Sequence, residues 1–181
     1  SATGSLTYST NTTSASDIYG FYNFSGDNWT SSSNNIGGIS VTNAGASGTF
    51  LVYGMRANTG SSVTWTAASN VIGGTIANSI QLNATGTSSQ LVGMHTSNAG
   101  ATLTSNTIRN LASNIGTGVT NLASVIGISL TSSTLNNTVS QNTIYSLSNS
   151  NTSAASVVTG LQFTGASAGV VERNLIYGLT A

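Results

Sequence analysis

"QNTIYSL" at residues 141–147 returns as "SNTIRNL" at 105–111 and, more loosely, as "RNLIYGL" at 173–179. With Asn-x-Ile as the marker, the series is Asn34/Ile36, Asn70/Ile72, Asn106/Ile108, Asn142/Ile144 and Asn174/Ile176. The first four asparagines are evenly spaced, and the fifth follows slightly early. A second marker alternates with the first: an aliphatic residue two before a glycine and a large apolar residue one after it. It reads "IYGF" at 18–21, "VYGM" at 52–55, "LVGM" at 91–94, "VIGI" at 125–128 and "VTGL" at 158–161, which sets Gly20, Gly54, Gly93, Gly127 and Gly160 in a second series.

A period of this length belongs to solenoids, propellers or arrays, and the residues within the period decide which. Helical repeats need apolar stripes at 3.6-residue spacing, whereas these segments are short β-branched runs broken by Gly, Asn and Ser. Propeller blades need four longer strands per period and a dipeptide signature that is absent here. A hexapeptide helix needs a six-residue aliphatic period, which the Ile-Gly pairs at 36, 72, 115 and 126 do not keep. The spacing therefore predicts an all-β parallel β-helix (β-solenoid) of about five coils, about 36 residues each, filling one domain over residues 1–181.

The two markers resemble those of the right-handed parallel β-helix family, the pectate-lyase-like solenoids, over essentially the whole chain. More closely still, they resemble the long Asn/Ser/Thr/Gly-rich β-strand-repeat proteins of bacterial surfaces. That resemblance implies a right-handed winding, which agrees with the rule for parallel crossovers, and an extracellular or cell-surface location.

Stacked coils bring like residues into columns about 4.8 Å apart. Asn34, Asn70, Asn106, Asn142 and Asn174 are expected at a turn, accepting an unusual backbone conformation and passing amide hydrogen bonds from coil to coil. Ile36, Ile72, Ile108, Ile144 and Ile176 are expected to fill the core. The turn glycines mark a bend or bulge, because the large residues keep no common parity across them. Three outward columns follow: Gly37, Gly73, Arg109, Tyr145, Tyr177, where the guanidinium is expected over stacked rings; Tyr22, Arg56, His95, Ser129, Gln162; and an apolar set of Tyr19, Tyr53, Val92, Ile126, Thr159.

Charge narrows the function. Lys+Arg and Asp+Glu number 3 each, and charged residues make up 3% of the chain where about 25% is usual. Nucleic acids and anionic membrane surfaces require a basic patch, so neither is an expected partner. No apolar run approaches the length of a membrane-spanning helix, so membrane insertion is not expected. Enzymes on this fold use clustered carboxylates, but Asp17 and Asp27 fall in the first coil and Glu172 in the last, so no catalytic residues and no enzyme activity are predicted. His95 is the only histidine and the chain has no Cys, so His95 is read as a surface residue, and neither a metal nor another cofactor is expected.

The expected role is structural: a subunit or repeat block of an extracellular bacterial filament, sheath or giant surface protein. The alternative is an adhesive or carbohydrate-binding module with glycan partners. An ice-binding solenoid ranks below both, because "TWT" at 64–66 is read as lacking aligned partners in neighbouring coils. Neither end shows a cap, and open solenoid edges self-associate. Joining Ala181 to Ser1 would place Asn34 close to one more coil beyond Asn174. The expected end-to-end interface is Tyr19, Phe21 and Tyr22 at one end with Leu175 and Tyr177 at the other.

Overall fold

A computed structural model describes residues 6–24, 26–45, 48–58, 60, 62–84, 88–97, 100–115, 124–131, 135–151, 156–164 and 169–181. Strand β1 (Leu6–Thr10) precedes a first group of β2 (Ser16–Asn23), β3 (Trp29–Ser32), β4 (Asn35–Ile36) and β5 (Ile39–Asn43). The second group holds β6 (Phe50–Ala57), β7 (Thr64–Ala68), β8 (Val71–Ile72) and β9 (Ile80–Ala84). Then come β10 (Gln90–Thr96), β11 (Gly100–Thr104) and β12 (Thr107–Ser113), then β13 (Val125–Leu130), β14 (Asn137–Ser140) and β15 (Thr143–Asn149). The last group is β16 (Val158–Phe163), β17 (Gly169–Glu172) and β18 (Leu175–Thr180).

These strands stack as a parallel β-solenoid. One face runs β2-β6-β10-β13-β16, the second β3-β7-β11-β14-β17, and the third β1-β5-β9-β12-β15-β18, with β4 and β8 joining β12 on the third. The first and last groups are separated by about 4 turns with coils ~34 residues apart, where five markers led to an expectation of about five coils of slightly greater length. Five marked levels enclose only four steps. Residues 73–79, between Ile72 and Ile80, lengthen the second coil, so the step from Ile39 to its partner Ile80 takes more chain than the next one, from Ile80 to Leu111.

The interior is a single apolar cluster running along the axis, filled from all three faces by residues such as Phe50, Met55, Trp65, Leu82, Met94, Leu103, Ile108 and Leu147. Strand alternation does the sorting on the second face: Trp65 and Ala67 point inward while Thr64 and Thr66 are exposed. Ile36, Ile72, Ile108, Ile144 and Ile176 pair in one column. Ile72, Ile108 and Ile144 are fully buried, and Ile176 in the last coil is 40% exposed.

The glycine column exists because of the isoleucine column. A Cβ on Gly93 would lie 2.6 Å from Cγ2 of Ile108 and 2.5 Å from the carbonyl oxygen of Gly127. Gly20, Gly54, Gly127 and Gly160 face Ile36, Ile72, Ile144 and Ile176 in the same way. At each of these corners the strand bends so that residues on both sides of the intervening pair face inward, as Leu91 and Met94 do. On the outside, the same bend turns residues three apart toward each other: Tyr19 and Tyr22 stack with centroids 4.4 Å apart.

Backbone strain falls one residue earlier than the sequence suggests. Ser33, Ser69, Ser105, Gln141 and Arg173, each immediately before a marker asparagine, adopt φ of 57°, 56°, 56°, 58° and 55°. The asparagines themselves do not. The left-handed residue turns the corner, which costs about 1 kcal/mol or more for a non-glycine, and the asparagine side chain locks it. A second left-handed set, Asn110, Ser146 and Gly178 (φ 54°, 54° and 64°), bends β12, β15 and β18. The Gly/Ser/Thr-rich stretch 112–124, between two markers, reads from sequence as a loop; Ala112 and Ser113 belong to β12, and 116–123 lie outside the described residues.

Candidate functional site

The asparagine corner is a directional hydrogen-bond ladder. Asn34 donates its main-chain N–H (3.0 Å) and Nδ2 (2.8 Å) to Oδ1 of Asn70. Asn70 does the same to Asn106 (3.0 and 2.9 Å), Asn106 to Asn142 (2.9 and 3.0 Å), and Asn142 to Asn174 (3.0 and 3.0 Å). The remaining Nδ2 hydrogen reaches back to a carbonyl of the preceding coil: Asn70 to Ser31, Asn106 to Ala67, Asn142 to Leu103 and Asn174 to Val139, at 2.8–3.0 Å. In the middle coils this accounts for every amide hydrogen and oxygen of a buried side chain, as burial requires.

Because every step runs the same way, the two ends differ chemically. Among the described residues, nothing donates to Asn34 Oδ1, and the main-chain N–H and second Nδ2 hydrogen of Asn174 have no acceptor. The end coils are also apolar. Val171, Leu175 and Tyr177 of the last coil are 49%, 57% and 49% exposed, and all of β18 is exposed. In the first coil Phe21 is exposed and stacks on Trp29 (5.4 Å), which stacks in turn on the buried Trp65 (5.3 Å). Tyr19, Phe21 and Tyr22 thus sit at one end of the solenoid and Leu175 and Tyr177 at the other. Strand β1 covers part of the first end, lying against β5 from Leu6↔Ile39 to Thr10↔Asn43. Sequence reading found no cap there because β1 carries neither marker.

Tyr145 and Tyr177 stack at 5.0 Å with parallel rings. Arg109 does not lie over them as expected; its Nη1 donates to the Tyr145 hydroxyl (3.0 Å) and its Nε to the Gly73 carbonyl (3.3 Å).

A different arginine makes the cation–π site. Arg56 lies 4.6 Å from the Tyr53 ring centroid, 5.7 Å from Tyr19 and 5.9 Å from Tyr22. Its Nη1 donates to Asp17 Oδ2 (3.2 Å) and to the Tyr19 hydroxyl (3.1 Å), while that hydroxyl donates to the same carboxylate (2.7 Å). Burial and the bond to Asp17 push the Tyr19 pKa up to about 12, and burial raises that of Tyr53. The apolar outward column is closed over at this corner, with Tyr53, Val92 and Ile126 buried as a cluster of their own.

His95, expected at the surface, packs in this corner 5.4 Å from Tyr53, and its Nδ1 is buried with no partner among the described residues. Burial, reinforced by Arg56, pushes its pKa down to about 4. It stands in register between Arg56 and Ser129. Among the described residues no three His, Asp or Glu side chains come together as a metal site.

The second face carries a feature that the sequence reading missed. Thr66 pairs with Thr30 and Thr102, and Thr102 with Thr138, while Thr64 faces Gly100, so a single threonine column runs along this face without a stacked Thr-x-Thr. The column holds threonine at the first four levels and Val170 at the last; the even spacing of 30, 66, 102 and 138 was the available signal. On the third face, the second left-handed corner forms a cleft of about 280 Å³ lined by Asn78, Asn110, Ser146, Ser148, Gly178 and Thr180 among others. The chain matches no family model, no curated protein and no solved structure.

Proposed function

We propose that the chain is a structural building block that stacks end to end through its open coils, as a subunit or repeat block of an extracellular filament, sheath or giant surface protein. The observation that carries this reading is the last coil, where, among the described residues, β17 and β18 each pair on one side only and Val170, Val171, Leu175, Ile176 and Leu179 are exposed. Parallel sheets are normally buried, and an exposed apolar edge is a template for another strand. A net charge of 0 with charged residues at 3% supplies none of the usual electrostatic defence against association. The bacterial and cell-surface part of the reading rests on the resemblance of the repeats.

Sedimentation of the chain over a range of concentrations, beside a Val171→Lys/Leu175→Lys variant, tests the reading. The wild type is expected to form long oligomers, and two lysines on the last coil are expected to hold it monomeric. Thr102→Lys, on the flank of the second face, controls for charge alone and should still assemble. A wild type that stays monomeric at every concentration overturns the reading.

A second reading is favoured by the column Thr30, Thr66, Thr102, Thr138: a regular hydroxyl face that orders water or ice. Thermal hysteresis of freezing, lost in Thr66→Val/Thr102→Val, is its test.

A further inference from the structure

We infer that the chains join head to tail in one register, fixed by the open ends of the asparagine ladder, and that β1 must leave its place for the junction to close. This deepens the end-to-end reading and rests on it; the partner is a second copy of this chain.

The register follows from what each interior level does. Ser69 N–H donates to the Thr104 carbonyl of the following coil, and Ser105 N–H to Ser140. Thr107 N–H donates to the Asn70 carbonyl of the preceding coil, and Thr143 N–H to Asn106. With Asn34 of an incoming copy placed above Asn174, the same pattern gives five bonds at one corner. Arg173 N–H meets the Ser32 carbonyl, the counterpart of Ala68, which accepts from Ser33. Asn174 N–H and Nδ2 both meet Asn34 Oδ1, as Asn142 meets Asn174. Asn35 N–H meets the Asn174 carbonyl, as Val71 meets Asn34. The second Nδ2 hydrogen of Asn34 meets the Val171 carbonyl, as Asn174 meets Val139. A reversed copy would set donors against donors at the ladder and make a parallel sheet antiparallel, so only one polarity satisfies it.

The apolar columns agree with that register. Ile176 falls beneath Ile36, extending the isoleucine column. Leu161 continues the column of Phe21, Met55, Met94 and Ile128, so it falls beneath Phe21 of the incoming copy.

One strand stands in the way. Thr7 lies against Ser40, and the column runs from Ser40 through Gln81, Ala112 and Ser148 to Thr180. In the joined register Thr180 of one copy falls beneath Ser40 of the next, in the place that Thr7 of that next copy already fills. Leu179 claims the place of Leu6 by the same column, from Ile39 through Ile80, Leu111 and Leu147. Among the described residues β1 pairs in its sheet with β5 alone, the Tyr8 ring rests on Phe50 of β6 at 6.2 Å, and Leu6 and Tyr8 are 53% and 39% exposed. Strand β18 likewise pairs with one neighbour, β15, but it also seats the Ile176 side chain against Gly160 of β16. The less anchored strand yields, so β1 acts as a removable cover that holds the first coil shut until β18 of another copy replaces it.

Disulfides test this cleanly because the chain has no Cys and register neighbours one strand spacing apart are within bridging reach. Thr7→Cys/Ser40→Cys pins β1 to β5; Ser40→Cys/Thr180→Cys bridges only between copies joined as argued. All three positions lie outside the core, and circular dichroism verifies that the fold is kept. The pinned variant is expected to stay monomeric when oxidised and to polymerise after reduction, while the second variant gives a reducible ladder of covalent multimers. A pinned, oxidised variant that polymerises as the wild type does, or polymer of the second variant in which the two introduced thiols fail to bridge, overturns strand replacement but leaves end-to-end stacking standing. A wild type that never polymerises overturns the stacking reading itself, and this inference with it.

Discussion

Asn106 gives both its main-chain N–H and its Nδ2 hydrogen to a single atom, Oδ1 of Asn142, at 2.9 and 3.0 Å. Its own Oδ1 receives the same pair from Asn70, and its last hydrogen goes to Ala67. Replacing it by Ala removes four of these bonds and strands the Asn70 N–H, the Asn70 amide and the Ala67 carbonyl in the interior. Each buried group left unpaired costs about 1–3 kcal/mol, so Asn106→Ala is expected to lower stability by several kcal/mol in urea unfolding. Thr66→Ala on the exposed face should change it by less than about 0.5 kcal/mol.

Gly93→Ala tests the corner from the other side. Its methyl group would press on Ile108 Cγ2 and on the Gly127 carbonyl, and the second of these is backbone that the next coil fixes. Overpacking of this kind costs roughly 1–3 kcal/mol or more. Thermal melts should show a clear drop, and a neutral outcome would mean that the corner has room.

With so few charges, stability should vary little with salt, but acid is another matter because of His95. Its folded pKa of about 4 lies below the ordinary 6.5, so folding favours the neutral ring. The stabilisation is complete above pH 6.5 and is lost as pH falls toward 4, at up to about 1.4 kcal/mol per unit. Around the ring stand Tyr53, Arg56, whose charge opposes protonation, and the Ser129 main chain, whose hydrogen bond offsets part of that effect. Urea midpoints measured from pH 7 to 4 should fall in the wild type and flatten in His95→Asn; parallel curves would remove His95 as the cause.

Arg56→Lys probes the cation–π corner. A lysine keeps the charge near Asp17 but not the flat group lying over Tyr53 and within 6 Å of the stacked Tyr19 and Tyr22 rings. The loss is expected to be about 1 kcal/mol in chemical unfolding, with tyrosine fluorescence reporting the loosened rings.

How much of this was legible depended on what repeats at constant spacing. The solenoid, its strand class and its parallel stacking were readable because Asn106, Ile108 and Gly127 each recur at their own level. The left-handed residue was missed because Ser33, Gln141 and Arg173 share a conformation without sharing chemistry. The Tyr19–Tyr22 contact was invisible because alternation places residues three apart on opposite faces, and only the bend at Gly20 brings them together. Strand β1 was missed because it belongs to the column of β5 without the marker that identifies a coil.

The axial rise per chain in the polymer tests the central claim most directly, by fibre diffraction or helical image reconstruction. If β18 replaces β1, each chain adds five levels, those of Asn34, Asn70, Asn106, Asn142 and Asn174, and the rise is about 24 Å at ~4.8 Å per strand. If β1 stays in place, a sixth level intervenes and the rise is about 29 Å. The shorter rise is the result predicted; the longer one, or subunits alternating in polarity along the fibre, would contradict it.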